Sequence, residues 1–95
     1  MEKFILIDKK DNVVTALKDI KEGVILHVKK GDEILDIALK ERIRFGHKCA
    51  IAKISKGKRV IKYGESIGVA SKDIECGTHV HTHNLRSIRG TVKKG

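Results

Sequence analysis

The chain has 95 residues, of which 40% are apolar, so it has room for one small domain with a single modest core. Charged residues make up 35%, but short apolar runs recur along the whole length, which excludes an intrinsically disordered chain. Apolar runs such as residues 4–7 are far shorter than the roughly 20 residues of a membrane-spanning helix, and the N-terminus lacks a secretory signal. We therefore expect a cytoplasmic protein with no membrane partner.

The formal net charge of +9 is concentrated in the second half of the chain. Residues 1–48 hold 11 Lys and Arg against 9 Asp and Glu, a balance of +2, whereas residues 49–95 hold 10 against 3, a balance of +7. This surplus either serves an anionic partner or only keeps the protein soluble. With three aromatic residues there is no platform for stacking bases, so we expect no nucleic-acid partner. Cys49 and Cys76 predict reduced thiols, not a thiolate metal cage.

Alternating apolar and polar residues predict a series of short strands separated by glycine-containing turns. The predicted strands cover residues 4–7, 24–28, 32–45, 49–54, 60–63, 67–70 and 78–81. Segment 32–45 also has a partial helical period, but β-branched residues recur in it and no helix cap accompanies it. We assign it as a strand whose apolar side runs from Leu35 to Phe45. The sequence thus predicts a mainly β fold.

One sequence motif occurs three times. It has an alanine, a charged residue three positions later, an isoleucine directly after that residue, and a glycine three positions after the isoleucine. The copies occupy residues 16–23, 50–57 and 70–77. We interpret each copy as a corner where a buried isoleucine plugs the core and a glycine with positive φ starts a new strand. The copies are unequally spaced, which excludes a solenoid.

The densest group of chemically capable side chains lies at residues 77–84, Gly-Thr-His-Val-His-Thr-His-Asn. On a straight strand, His79, His81 and His83 would share one face at intervals of about 6.6 Å. Two neighbours can reach one metal ion, but all three would span about 13 Å, which is too far. The expectation is two histidines with further ligands from elsewhere, and the alternative is an exposed polar strand face.

Two shorter motifs also carry titratable groups. Gly46 is expected to form a bend that presents His47 and Lys48 together. Lys48 could then bind a carboxylate as a point charge, and His47 could exchange a proton near neutral pH. A solvated turn is the alternative. Lys62 lies at a strand end in the similar motif Lys-Tyr-Gly.

Five motifs in this order resemble the SAF domain that opens altronate and galactarate dehydratases. They are residues 11–17 (Asp-Asn-Val-Val-Thr-Ala-Leu), 46–48 (Gly-His-Lys), 62–64 (Lys-Tyr-Gly), 67–70 (Ile-Gly-Val-Ala) and 77–84. The resemblance implies a β-clip fold of folded-over hairpins. We expect residues 1–95 to form one such domain, with an ordered core over about 4–86 and a short basic C-terminal tail. Many family members have a histidine where this chain has residues 7–10.

The resemblance implies a lyase that removes water from a sugar acid, or sulfite from sulfolactate. Some relatives carry the domain fused to a larger catalytic region, and others, such as sulfolactate sulfo-lyase, have it as a separate small subunit. Because the chain ends soon after Asn84, we expect the separate kind, which is inactive without its large catalytic subunit. The implied cofactor is a divalent metal, iron(II) or a similar ion, held mainly by that large subunit, and the implied substrate is a small anion.

The resemblance also implies roles for named residues. His81 and His83 are expected to be catalytic and to be candidate metal ligands, and His47 is a third catalytic candidate. Lys48 and Lys62 are expected to bind the anionic substrate. The candidate substrate ligand Asn84 either fixes the turn or donates to the substrate carboxylate. His79 lies nearer to the turn and is expected to matter less.

A second class of function stays open at this point. Related β-clip domains bind carbohydrates or proteins without catalysis, and a fold alone does not fix a function. The sequence also leaves open a homo-oligomer. Only the lyase interpretation requires a dedicated large partner chain.

Overall fold

The computed structural model describes residues 3–87, which form nine β-strands in three small sheets and no helix. The strands are β1 (Phe4–Ile5), β2 (Val13–Ala16), β3 (Ile25–Lys30), β4 (Glu33–Ala38), β5 (Lys48–Ala50), β6 (Arg59–Lys62), β7 (Glu65–Ala70), β8 (His79–Val80) and β9 (Leu85–Ser87). The predicted mainly β fold is confirmed. In this range no helix is long and apolar enough to cross a membrane. Most of the predicted basic tail lies outside the described residues.

The sheets are antiparallel throughout, and the largest divides the interior in two. It has the strand order β1-β2-β5-β8, while β3 and β4 form a hairpin and β6, β7 and β9 form a third sheet. Successive residues of a strand point to opposite faces. Val14 and Cys49 therefore enter one core cluster and Val13 and Ala50 enter the other. The histidines of interest lie at the β8 edge of this sheet.

The predicted corners are confirmed. Their isoleucines are buried, and their glycines have φ values of +87° to +89°. The isoleucines concerned are Ile20, Ile54 and Ile74, and the glycines are Gly23, Gly57 and Gly77. A residue with a Cβ disfavours this left-handed region, so the glycines are required for the change of direction.

The structure contains a fourth corner, at Ile43 and Gly46, and the four corners associate in pairs. Ile20 forms an isolated antiparallel β-bridge with Ile43, and Ile54 forms another with Ile74. Ile43 is fully buried, and Gly46 has a φ of +83°. Each core cluster contains one such isoleucine pair, so the paired corners close the two cores.

Backbone hydrogen bonds join the last glycine of each corner to the first residue of its paired corner. The amide of Gly57 donates to the carbonyl of Ala70, and that of Gly77 donates to the carbonyl of Ala50. In the other pair, Gly46 donates to Ala16 in the same way. In the fourth of these bonds, the amide of Gly23 donates to the carbonyl of Leu39. Because this position holds leucine and not alanine, the fourth corner does not match the sequence motif of the other three.

The single strand predicted over residues 32–45 is wrong in its second half. Strand β4 ends at Ala38, because the fourth corner begins there and redirects the chain. Phe45, predicted on the apolar face, is 66% exposed. Its amide instead donates to the carboxylate of Asp19 in the paired corner. The strand predicted over residues 49–54 likewise ends early, at Ala50, where the next corner starts.

The first and third family motifs contact each other. The buried carboxylate of Asp11, 1% exposed, accepts hydrogen bonds from the amides of Asp8 and Gly64. The side chain of Asn12 accepts from the amide of Ile61 and donates to the carbonyl of Arg59. These bonds hold the hairpin between β6 and β7 against the loop that precedes β2, so both motifs have a structural role.

Candidate functional site

Three histidines from distant parts of the sequence form one cluster at the edge of the largest sheet. The ring of His47 stacks on that of His79 at a centroid distance of 4.9 Å, and on that of His81 at 4.6 Å. The rings of His79 and His81 are 5.4 Å apart. Nδ1 of His47 lies 2.8 Å from Nε2 of His79, which places one proton between the two rings. All three residues are partly buried.

Strand pairing brings these residues together. Gly46 ends the fourth corner, and His47 follows it directly before β5. Strand β8 pairs antiparallel with β5 in a register that sets His79 opposite Cys49. The carboxylate of Glu41 accepts a hydrogen bond from the amide of His79 and so fixes this edge strand from outside. Glu41 is a site residue that the sequence interpretation missed.

A close backbone approach at Gly77 brings β8 toward the segment that leads into the fourth corner. The carbonyl of Gly77 accepts a hydrogen bond from the amide of Lys40. A Cβ atom at Gly77 would lie only 2.3 Å from the carbonyl oxygen of Ala38. Glycine is therefore required at this position, because a side chain would prevent the segment before β8 from approaching Ala38 and Lys40 this closely.

After Val80 the chain leaves the strand in a turn, and the side chain of Asn84 holds that turn. Its Oδ1 atom accepts from the amide of His81, and its Nδ2 atom donates to the carbonyl of His79. Asn84 is 5% exposed. Of the two roles expected for Asn84, the structure shows the turn-fixing one.

This turn changes the arrangement expected for the three alternating histidines. The prediction assumed a straight strand over 78–81 and beyond, but β8 contains only His79 and Val80. His81 consequently approaches His47 and His79, while His83 is exposed, with its ring tilted against that of His79 at 5.2 Å. His79, which was expected to matter less, has its ring against those of His47, His81 and His83. The roles predicted for His81 and His83 stay predictions.

Burial and mutual repulsion favour the neutral form of two members of the cluster. The pKa of His79 is lowered from its ordinary value, chiefly by burial and then by the neighbouring His47, His83 and His81. The pKa of His81 is also lowered, by partial burial and by the charges of His47 and Lys48. At neutral pH these rings therefore carry ring nitrogens with free lone pairs, which can accept a proton or bind a metal.

Of the two predicted substrate-binding lysines, Lys48 lies beside this cluster and Lys62 lies near Lys48. Lys48 is half-buried, and its pKa is lowered by burial and by the charge of Lys62. Lys62 holds its ammonium group 4.9 Å above the centre of the Tyr63 ring. Among the described residues no carboxylate forms an ion pair with Lys48. The cluster therefore has a cationic flank whose charge is not neutralised within residues 3–87.

The sequence is similar to known proteins over most of its length. The family model of the altronate/galactarate dehydratase SAF domain matches residues 2–88. Altronate dehydratase of Bacillus subtilis is 42% identical over 87 residues, which cover 92% of this chain and 17% of that enzyme. Altronate dehydratase of Escherichia coli is 43% identical over 84 residues, 88% of this chain and 16% of the enzyme.

A relative of similar length is also found. The (2R)-sulfolactate sulfo-lyase subunit alpha of Chromohalobacter salexigens is 35% identical over 89 residues, which cover 90% of this chain and 95% of that subunit. The chain thus spans about a sixth of the dehydratases but nearly the whole of the sulfo-lyase subunit. With its all-β fold and a match over almost its full length, the chain belongs to the family of altronate/galactarate dehydratase SAF domains.

Proposed function

We propose that this chain is the small subunit of a two-subunit hydroxy-acid lyase and contributes its histidine cluster to an active site shared with a large catalytic chain. The observation that carries the proposal is the convergence of His47, His79 and His81 at a partly exposed sheet edge with a cationic flank. The match to 95% of a protein named as a sulfo-lyase subunit supports the separate-subunit arrangement.

The proposed reaction is an elimination. A base takes a proton from the carbon beside the substrate carboxylate, and water or sulfite leaves from the neighbouring carbon. A base for this step works best when its pKa lies near the operating pH. His81 suits the task because its lowered pKa leaves a ring nitrogen free at neutral pH. The contact between His47 and His79 restrains the orientation of the rings beside it.

The cationic flank suits the substrate. Hydroxy acids are anions, and Lys48 and Lys62 lie close enough for the charge of Lys62 to lower the pKa of Lys48. A substrate carboxylate between these groups would relieve their repulsion and gain charge-assisted hydrogen bonds. This gives both lysines a role in holding the substrate, while His81 acts on the adjacent carbon.

The family resemblance implies a divalent metal, iron(II) or a similar ion, held mainly by the large subunit. When bound, such an ion stabilises the negative charge that develops on the carboxylate oxygen. The imidazole nitrogens of the cluster fit a metal of this class, since imidazole is a common ligand for iron and zinc.

The partial exposure of the cluster explains why a partner is needed. His47, His79 and His81 all retain contact with solvent, whereas proton abstraction beside a carboxylate is favoured by a site that excludes water. The large chain would cover this edge. The isolated chain is therefore expected to fold without lyase activity.

Copurification tests the proposal. The affinity-tagged full chain, expressed in its source cells, should retain a larger chain, and the complex should dehydrate altronate or galactarate or release sulfite from (2R)-sulfolactate. A chain that retains no larger protein, in a preparation that converts none of these acids, would contradict it. Specific binding of a neutral sugar in that case would favour a non-catalytic carbohydrate-binding module.

A further inference from the structure

We infer that His47, His79 and His81 form a metal site belonging to this chain itself, which takes one divalent transition-metal ion through three imidazole nitrogens. This inference deepens the proposed function and rests on it for the purpose of the site. An imidazole nitrogen that binds the ion cannot also take the substrate proton, so with the ion bound His81 is a ligand, and the exposed His83 beside His79 is the candidate base. The inferred site differs from the pairing of His81 with His83 that the sequence suggests. It also adds ligands from the small chain to a metal otherwise expected mainly on the large one.

The distances between ligand atoms support one shared ion. Each ring offers one nitrogen such that the three atoms lie within 4.8 Å of one another, and Nδ1 of His47 is 2.8 Å from Nε2 of His79. Nitrogens bound to one tetrahedral ion at about 2.0–2.1 Å lie about 3.3–3.4 Å apart. The observed distances therefore bracket the spacing that one shared ion requires.

The orientation of the rings identifies the movement that binding requires. The three rings are stacked, with interplanar angles of 13° to 21°. Near-parallel rings direct their lone pairs side by side, so each ring must turn about its own Cβ–Cγ bond before the lone pairs converge. The terminal torsion of histidine is broad, which makes such a rotation inexpensive.

The backbone behind the rings is held by contacts that this rotation does not disturb. Glu41 accepts from the amide of His79, and Asn84 accepts from the amide of His81. The carbonyl of His47 accepts a hydrogen bond from Ala16 in the neighbouring strand. Ligands fixed on a sheet in this way lose little conformational entropy when they bind an ion.

The donor set selects the class of ion. Three nitrogens with no carboxylate suit Zn²⁺, Fe²⁺, Co²⁺, Ni²⁺ or Cu²⁺, whereas Mg²⁺ and Ca²⁺ prefer oxygen ligands. Three protein ligands leave at least one coordination position for water or a substrate oxygen, as in catalytic zinc sites. His83, whose ring lies 5.2 Å from that of His79, is the only other imidazole that the structure places against these rings among residues 3–87.

Titration of the metal-free full chain tests the inference. Zn²⁺ followed by calorimetry, and Co²⁺ followed by its visible absorption, should each show one ion per chain at neutral pH. Substitution His47→Ala, His79→Ala or His81→Ala should weaken Zn²⁺ binding by at least about 100-fold, the upper end of what losing an outer-sphere partner costs. His27→Ala is the matched control, since His27 lies exposed on β3 beside Asp36, and it should bind like the unmodified chain.

A second measurement covers the case of a variant that fails to fold. Zn²⁺ should protect His47, His79 and His81 of the unmodified chain from diethyl pyrocarbonate, as read by mass spectrometry, and leave His27 reactive. Absence of saturable Zn²⁺ binding would overturn the inference. So would binding that depends on His81 and His83 but survives His47→Ala and His79→Ala.

The outcomes separate this inference from the proposed function. An active two-chain complex whose small chain alone binds no Zn²⁺ or Co²⁺ would overturn the metal site and leave the proposed function intact. A small chain that binds one ion through the three histidines, yet neither retains a large chain nor supports turnover, would overturn the proposed function and leave the metal site intact.

Discussion

Nδ1 of His47 lies 2.8 Å from Nε2 of His79, although 32 residues separate the two histidines in the sequence. A hydrogen bond between two imidazoles needs one nitrogen with a proton and one without. Full protonation of both rings would put a proton on each contact atom, break the bond and set two cations against each other. The folded chain therefore disfavours a fully protonated cluster.

This contact predicts a loss of stability in mild acid. The pKa of His79 and that of His81 lie below the ordinary 6.5 in the folded chain, so below about pH 6.5 the unfolded chain binds more protons. The two histidines therefore make their full contribution to the free energy of unfolding above about pH 6.5. This contribution is lost as the pH falls toward the pKa values of the folded chain. We expect the Tm to fall between about pH 7.5 and 5.5, and to fall less in His79→Gln. Thermal unfolding by circular dichroism measures both, and equal slopes in the two proteins would contradict the account.

The close approach at Gly77 predicts an unequal response of two glycines with the same conformation. Gly57 and Gly77 have φ values of +87° and +88°, but a Cβ meets nothing within 4 Å at Gly57 and lies 2.3 Å from the Ala38 carbonyl oxygen at Gly77. Gly57→Ala should cost about 1–2 kcal/mol of unfolding free energy, from the backbone conformation alone. Gly77→Ala should cost a further 1–3 kcal/mol or so from the clash. Urea unfolding compares them, and equal losses would mean that the approach at Gly77 is not tight.

The Asp-Asn motif predicts a structural rather than catalytic loss. Asp11→Ala removes the acceptor of the Asp8 and Gly64 amides in a buried position, which should cost about 1–3 kcal/mol for each amide left without a partner. Glu22→Ala, at an exposed corner residue, should change the unfolding free energy by less than about 0.5 kcal/mol. Chemical denaturation of both variants is the measurement. Similar midpoints would show that the motif does not hold the hairpin.

The two free thiols should differ in reactivity. Burial is the main cause that raises the pKa of Cys49 to about 12, and it also raises the pKa of the less buried Cys76. Only the thiolate reacts with iodoacetamide. Near pH 8 we therefore expect slow labelling of Cys76 and none of Cys49 in the folded chain, with both labelled in urea. Peptide mass spectrometry locates the label, and modification of folded Cys49 would show that its core opens.

Local patterns were sufficient to predict three of the four corners and the β-rich fold. The isoleucine and glycine of the motif meet two short-range requirements of a corner, a buried apolar side chain and a positive φ. Both residue types can be recognised within a few neighbouring positions of the sequence. The fourth corner has the same isoleucine and glycine, at Ile43 and Gly46, but Leu39 stands where the other copies have alanine. That substitution is tolerated because the position contributes its backbone carbonyl.

The composition of the site was harder to predict, because it depends on long-range pairing. His47 meets His79 only because β5 and β8 are neighbours, and no local pattern specifies which strands pair or in what register. The straight strand assumed for the histidine motif failed for a different reason. Asn84 satisfies backbone groups of His79 and His81 with its side chain, and so ends the strand after Val80.

The most direct test of the central claim is the turnover of the two-chain complex assembled with His81→Ala, compared with the complex assembled with His27→Ala. Size-exclusion chromatography should show that both variants assemble, because both side chains lie outside the two cores. We predict that His81→Ala lowers kcat by at least about 100-fold, the scale of losing a general base or a metal-site member, and that His27→Ala leaves it unchanged. Equal turnover by the two assembled complexes would contradict the claim that this chain contributes its histidine cluster to the active site.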